Sequence, residues 1–246
     1  LKSLWARRRN GKIGGEMMKK FILGAISSHI LLFWLSYVVA QTTKPATKKQ
    51  EVAKYQSFSV LHGGTVKGEV KITGDYPKPE KIKVTKDHEV CGSQKISEGF
   101  IVSKENKGLK NVVVRLKNIT KGKVRLSDKQ LVIDQHFCSY VPHLQAALIG
   151  PEGIDVEIRN SDGILHNAHA YQQGQTLFNV AQPGSIKKFI KHIDNPGTVT
   201  LKCDVHEWMN AYIILLTNPY FDVTDEKGQY EIPDIPPGKY IIEAWH

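Results

Sequence analysis

Cys203, His206 and Met209 fall within seven positions of the stretch LKCDVHEWMNAYIILL (201–216), and each carries a metal-philic atom. A thiolate, an imidazole and a weak thioether make a soft donor set. Such a set prefers copper, which must be held as both Cu(I) and Cu(II). A fourth ligand has to come from elsewhere. NSDGILHNAHAY (160–171) offers His166 and His169. On a strand, positions 166 and 169 point to opposite faces, so the pair divides between the metal and a place at the surface or behind the ligands. Zinc competes for a Cys/His/His set but rarely recruits methionine. A domain holding no metal at all is the plainest alternative. A two-copper site would need a second cysteine in the loop, and there is none. No nucleophile, base and orienting group stand together in a pattern that favours hydrolysis.

The elements that position these residues read as strands. GTVTLKCDV (197–205) alternates Val199, Leu201 and Cys203, which puts the thiol on the core face at the inner end of a strand. AYIILL (211–216) is an apolar strand, and the short loop between the two can turn His206 and Met209 back toward Cys203. GIDVEIRNSD (153–162), KQLVIDQ (129–135), LKNVVVRLKNI (109–119) and GGTVKGEVKITG (63–74) have the same short alternating or β-branched character. The end of the chain, TDEKGQYEIPDIPPGKYIIEAWH (224–246), frames two strands with Lys-Gly and Pro-Pro-Gly turns. With little that reads as helix, the expectation is an all-β sandwich.

The net charge of +10 does not indicate nucleic acid, because residues 1–40 contribute +6 and 41–58 another +3, leaving +1 for residues 59–246. The segment from Met17, with Lys19 and Lys20, an interrupted apolar stretch and Val38-Val39-Ala40, reads as an export signal cleaved before Gln41 or kept as an anchor. Residues 1–16 read as lying upstream of the true start. Residues 41–58 are polar and basic, a flexible tether. Export gives the three cysteines meaning. Cys91 and Cys138 pair as a disulfide, or else join His88, His136 and His143 in a second metal site. Cys203 is then the odd thiol that needs an occupation. Trp208 packs over the ligand loop. Tyr171, Phe178 and Trp245 read as core or interface aromatics, and His62, His192 and His246 as surface residues without companions.

EIRNSDGILHNAHAY followed by GTVTLKCDVHEWM resembles the cupredoxins, the plastocyanin, amicyanin and azurin family of blue copper proteins. YVPHLQAALIGPEGIDVEI (140–158) is similar to the strand pair preceding that family's first ligand. The resemblance implies a Greek-key β-sandwich over 121–217 holding one type 1 copper. His166 is implied as a ligand because the family's histidine is followed by asparagine; Cys203 and His206 follow, with Met209 axial. It also implies that Asn167 ties the two ligand segments together and that His206 reaches the surface in an apolar docking patch; His169, by strand alternation, and Trp208, by its place in the loop, read as residues behind the ligands. A second likeness, of TDEKGQYEIPDIPPGKY to the closing hairpin of carboxypeptidase regulatory-like (transthyretin-like) domains, implies a smaller β-sandwich module from 59–120 and 218–246, with the copper domain inserted. The expected function is a periplasmic single-electron carrier rather than an enzyme, serving a cytochrome c or a copper oxidoreductase. The membrane would be touched only through an uncleaved signal segment. The alternatives are a copper-binding or storage module and a metal-free structural β-sandwich that binds partners.

Overall fold

The computed structural model describes residues 55–246 except Arg125, Ser127 and Lys129. The expected upstream segment (1–16), export signal (17–40) and most of the tether lie outside the described residues. The architecture is all-β, and a four-residue helix, His88–Cys91, is the only helix among the described residues. None of them forms a helix long and apolar enough to cross a membrane.

Two sheets form the larger sandwich. One takes, in spatial order, Gln175–Gln182, His166–Gln172, Gly197–Lys202, Asn210–Leu216 and Leu144–Leu148. The other takes Lys188–Ile193, Ile154–Asn160, Gln130–His136 and Ser139–Val141. Alternation along each strand sends one set of side chains between the sheets. Ile133, Ile154, Val156 and Ile158 meet Ala168, Ala170, Val199, Leu201, Ile213 and Leu215 in one buried cluster. Parallel pairing of Gln130–His136 with Ile154–Asn160, and of Leu144–Leu148 with Asn210–Leu216, follows from connections that cross between the sheets.

A second group of strands has its own core of Leu109, Val112, Val114, Leu116, Ile119, Tyr220, Ile232 and Ile235. Val113–Lys117 lies between Phe221–Val223 and Ile241–Trp245. Gly64–Glu69 pairs with Gln229–Ile235 and not with the sheets of the larger sandwich. The two strands after the Lys-Gly turn are not a hairpin, because each pairs with a different partner. Pro233 has no N–H to give a ladder, and Asp234 adopts φ 61°. The register shifts between Ile232 and Ile235, so the strand bulges at Pro233-Asp234 and pairs again at Ile235 with Gly64, just before the Pro-Pro-Gly turn.

Two segments sit differently from the sequence reading. Residues 55–58 are not tether: Gln56–Ser57 pairs with Lys121–Gly122, and Tyr55 packs on the second core while its hydroxyl donates to Lys123 O at 3.0 Å. The hairpin of Lys81–Lys83 with Gln94–Ile96, expected in the small module, contributes Val84 and Cys91 to the core of the larger sandwich.

Candidate metal centre

Cys203 lies one residue past the strand Gly197–Lys202, on the core face with Val199 and Leu201. The loop closes on itself. Cys203 N donates to Met209 O at 3.3 Å and Met209 N to His206 O at 2.9 Å, so the chain reverses between the thiol and the next strand. His166 opens the neighbouring strand His166–Gln172, whose antiparallel register sets His169 opposite Lys202. That register brings 166–167 beside 203–205. Just before it, Gly184 packs on the backbone of Gly163; a Cβ at 184 would overlap that backbone, so a glycine is required there for the 161–165 turn to deliver His166.

The structure brings three predicted donors together. His166 Nδ1 and His206 Nδ1 stand 2.9 Å apart, and Cys203 Sγ is 3.8 Å from His206 Nδ1. These spacings are close to those of ligands placed about 2.0–2.3 Å from one shared ion. His166 and His206 are wholly buried, and Cys203 and Met209 are 2% exposed. Met209 belongs to the same buried cluster as Cys203.

Both far imidazole nitrogens are committed to carboxylates. His166 Nε2 lies 2.8 Å from Asp162 Oδ2, and His206 Nε2 lies 2.8 Å from Asp87 Oδ2. Each pair fixes the tautomer that leaves Nδ1 free. Two Nδ1 lone pairs then face each other beside a thiol, and only a shared proton or a cation resolves that contact. In the metal-free chain the electrostatics supply the proton, which a bound ion would displace. Burial opposes the Cys203 thiolate, but the hydrogen bond with His166 and the backbone N–H groups of Asn167 and His206 outweigh it and hold the thiol below its ordinary range. Burial also opposes a charged His166, yet Asp162 and Cys203 raise it to about 9. Burial dominates at His206 and lowers it despite Asp87, which keeps that imidazole neutral. The donor set fits a thiophilic metal ion.

Asn167 ties the segments. Its Oδ1 accepts Asp204 N at 2.6 Å and Val205 N at 3.2 Å, while its Nδ2 donates to Asn179 Oδ1 and Asp204 Oδ2. His169 does not reach the donors; it holds Asp204 from outside, with Nδ1 at 3.0 Å from Oδ2. Trp208 tilts against His206 at 5.1 Å between ring centroids and donates its Nε1–H to Cys138 O at 3.0 Å. Cys91 and Cys138 form a disulfide, which removes the thiolates a second metal site would need; His88 and His143 turn to Gly92 O and Asn210 O instead. Contrary to the expectation of companionless histidines, His192 pairs with Asp155 at 2.7 Å and His246 packs on Phe100.

The sequence reading missed Asp87 and Asp162. Asp162 carried a signal, four residues before His166 in NSDGILH. For Asp87 the nearest one was Cys91, four residues on, once its pairing with Cys138 is known. His206 is also not the exposed edge the resemblance implied, because the hairpin carrying Asp87 covers it.

No protein-family model matches the chain, and no curated protein matches it. Among solved structures, the chain is similar to a Cu-containing nitrite reductase from Thermus scotoductus SA-01, at 18% identity over 39% of this chain and a TM-score of 0.31; it spans 24% of that reductase. It is also similar to a purple cupredoxin from Nitrosopumilus maritimus, at 20% identity over 36% of this chain and 100% of that one, TM-score 0.30. Amicyanin from Paracoccus versutus matches at 15% identity over 37% of this chain and 85% of that one, TM-score 0.31.

Proposed function

We propose that this protein is an exported blue copper protein that carries single electrons between periplasmic redox partners, such as a cytochrome c and a copper oxidoreductase. One observation carries the reading: the Nδ1 atoms of His166 and His206 converge beside Cys203 Sγ, all three residues buried, with both far nitrogens held by carboxylates. His166, Cys203 and His206 would hold the ion, and Met209 would add a weak thioether donor. Copper, when bound, supplies the one-electron couple.

The chain's own residues do the rest. Asn167 stiffens the cage, so the donors keep their places in both oxidation states and little reorganisation accompanies transfer. Burial of all four donors excludes water and anything of substrate size, whereas an electron needs no opening. That supports carriage over catalysis. Covering of His206 also favours a second reading, a module that holds copper without a redox partner.

Adding Cu(II) to the metal-free chain should produce an intense visible charge-transfer band that is lost in Cys203→Ser. A protein that stays colourless, or a band that survives the substitution, overturns both the assignment and the carrier. Reversible voltammetry then separates carrier from store.

A further inference from the structure

The turn between Gln130–His136 and Ser139–Val141 has two residues, Phe137 and Cys138, with φ 47° and 50°. A two-residue hairpin turn with both φ positive normally takes Asn-Gly or Gly-Gly, because a Cβ in that region is strained. Here the strained pair is held from several sides. The N–H groups of Phe137 and Cys138 both donate to the Asp162 carboxylate, the latter at 2.7 Å. Cys138 O accepts Trp208 Nε1–H from the ligand loop. Lys95 of the Lys81–Ile96 hairpin donates to Phe137 O, and the Cys138 sulfur is bonded to Cys91 of that hairpin. Val84 and Cys91 plug into the sandwich core, and between them Asp87 reaches His206. The disulfide sulfurs and a His206 nitrogen all lie within 4.8 Å of one another.

We propose that the Lys81–Ile96 hairpin is a disulfide-latched lid over the donor group, and that Asp87, carried on it, is the positioning residue for His206. Cys138 is the shared anchor, because it reaches one imidazole through Asp162 and the other through the latch. A covering segment drawn from outside the sandwich, 119 residues from its contact, does not follow from the ligand loop. The lid closes the solvent path to Cys203 and fixes His206 with Nε2–H toward Asp87 and Nδ1 toward the donors.

The proposal rests on the metal-centre reading for its purpose, but its test reads the metal-free chain. Cys203 is the one thiol outside the disulfide, so labelling by N-ethylmaleimide, followed by mass spectrometry, reports on it alone. Labelling of the full chain should be slow. It should accelerate about tenfold or more in Asp87→Ala and in the double variant Cys91→Ser/Cys138→Ser, because a buried thiol reacts through local opening. Asp87→Asn keeps an acceptor for His206 and should restore most of the protection. Imidazole 15N shifts should show His206 as the Nε2–H tautomer in the parent and a mixture in Asp87→Ala. If the double variant does not fold, the Asp87 pair still decides. Unchanged labelling and an unchanged tautomer in folded Asp87→Ala overturn the lid, whatever copper does in the visible spectrum.

Discussion

Asn167 shows what one side chain does at the centre. Its Oδ1 satisfies two backbone N–H groups of the ligand loop. Asn167→Ala leaves them unmade, which should lower the stability of the metal-free chain by about 1–3 kcal/mol in denaturant unfolding. Competition with a chelator should show metal affinity down by about 10–100-fold. Met209→Leu should behave differently. The swap conserves volume in a buried position, so stability changes by less than about 1.5 kcal/mol. If copper binds as proposed, with Met209 as a weak donor, its loss would remove support for Cu(II) more than for Cu(I), and the potential measured by voltammetry should rise. The meeting of His166, Cys203 and His206 was legible in part, because strand alternation and a short loop turn Cys203 and His206 toward one place. Asp87 was not legible, because a contact across 119 residues leaves no local pattern.

At the scale of elements, most strands were legible and their partners were not. Alternation reports which face is buried, but pairing is settled by how layers stack. TDEKGQYEIPDIPPGKYIIEAWH shows the difference: both strands form, yet they join different sheets. Ile241–Trp245 is held to Val113–Lys117 partly by charge, with Glu243 opposite Arg115 and in contact with Lys117 at 2.8 Å. Lys117, and then Arg115, lower the Glu243 carboxyl below its ordinary value. A lowered carboxylate contributes stability that is present above the unfolded-state value and lost as pH falls through the folded one. Glu243→Gln should therefore destabilise by about 0.2–1 kcal/mol at neutral pH, the range for exposed pairs. The gap between variant and parent melting temperatures should close in acid, and a gap independent of pH would rule the ion pairs out as its source.

At the scale of the whole molecule, Asn210–Leu216 joins the core around the candidate donors to the second group of strands. One face sends Ala211, Ile213 and Leu215 into the larger core that also holds Cys203 and Met209. The other sends Ile214 and Leu216 into a third cluster with Val113 and Leu144, against which Tyr212, Phe221 and Trp245 pack. This is why AYIILL is an unbroken apolar run: a strand buried on both faces has no polar side to show. The described residues accordingly fall within a single unit. Ile214 is 3% exposed and faces away from the core that holds Cys203 and Met209. Ile214→Ala should remove about 2–5 kcal/mol through lost burial and the cavity left behind. If the third cluster couples the two sets of strands, calorimetry should show one transition in parent and variant, with calorimetric and van't Hoff enthalpies equal. Two resolved transitions in the variant, with only the one from the second group of strands shifted, would mean that each set folds alone and that the two-faced strand merely sits between them.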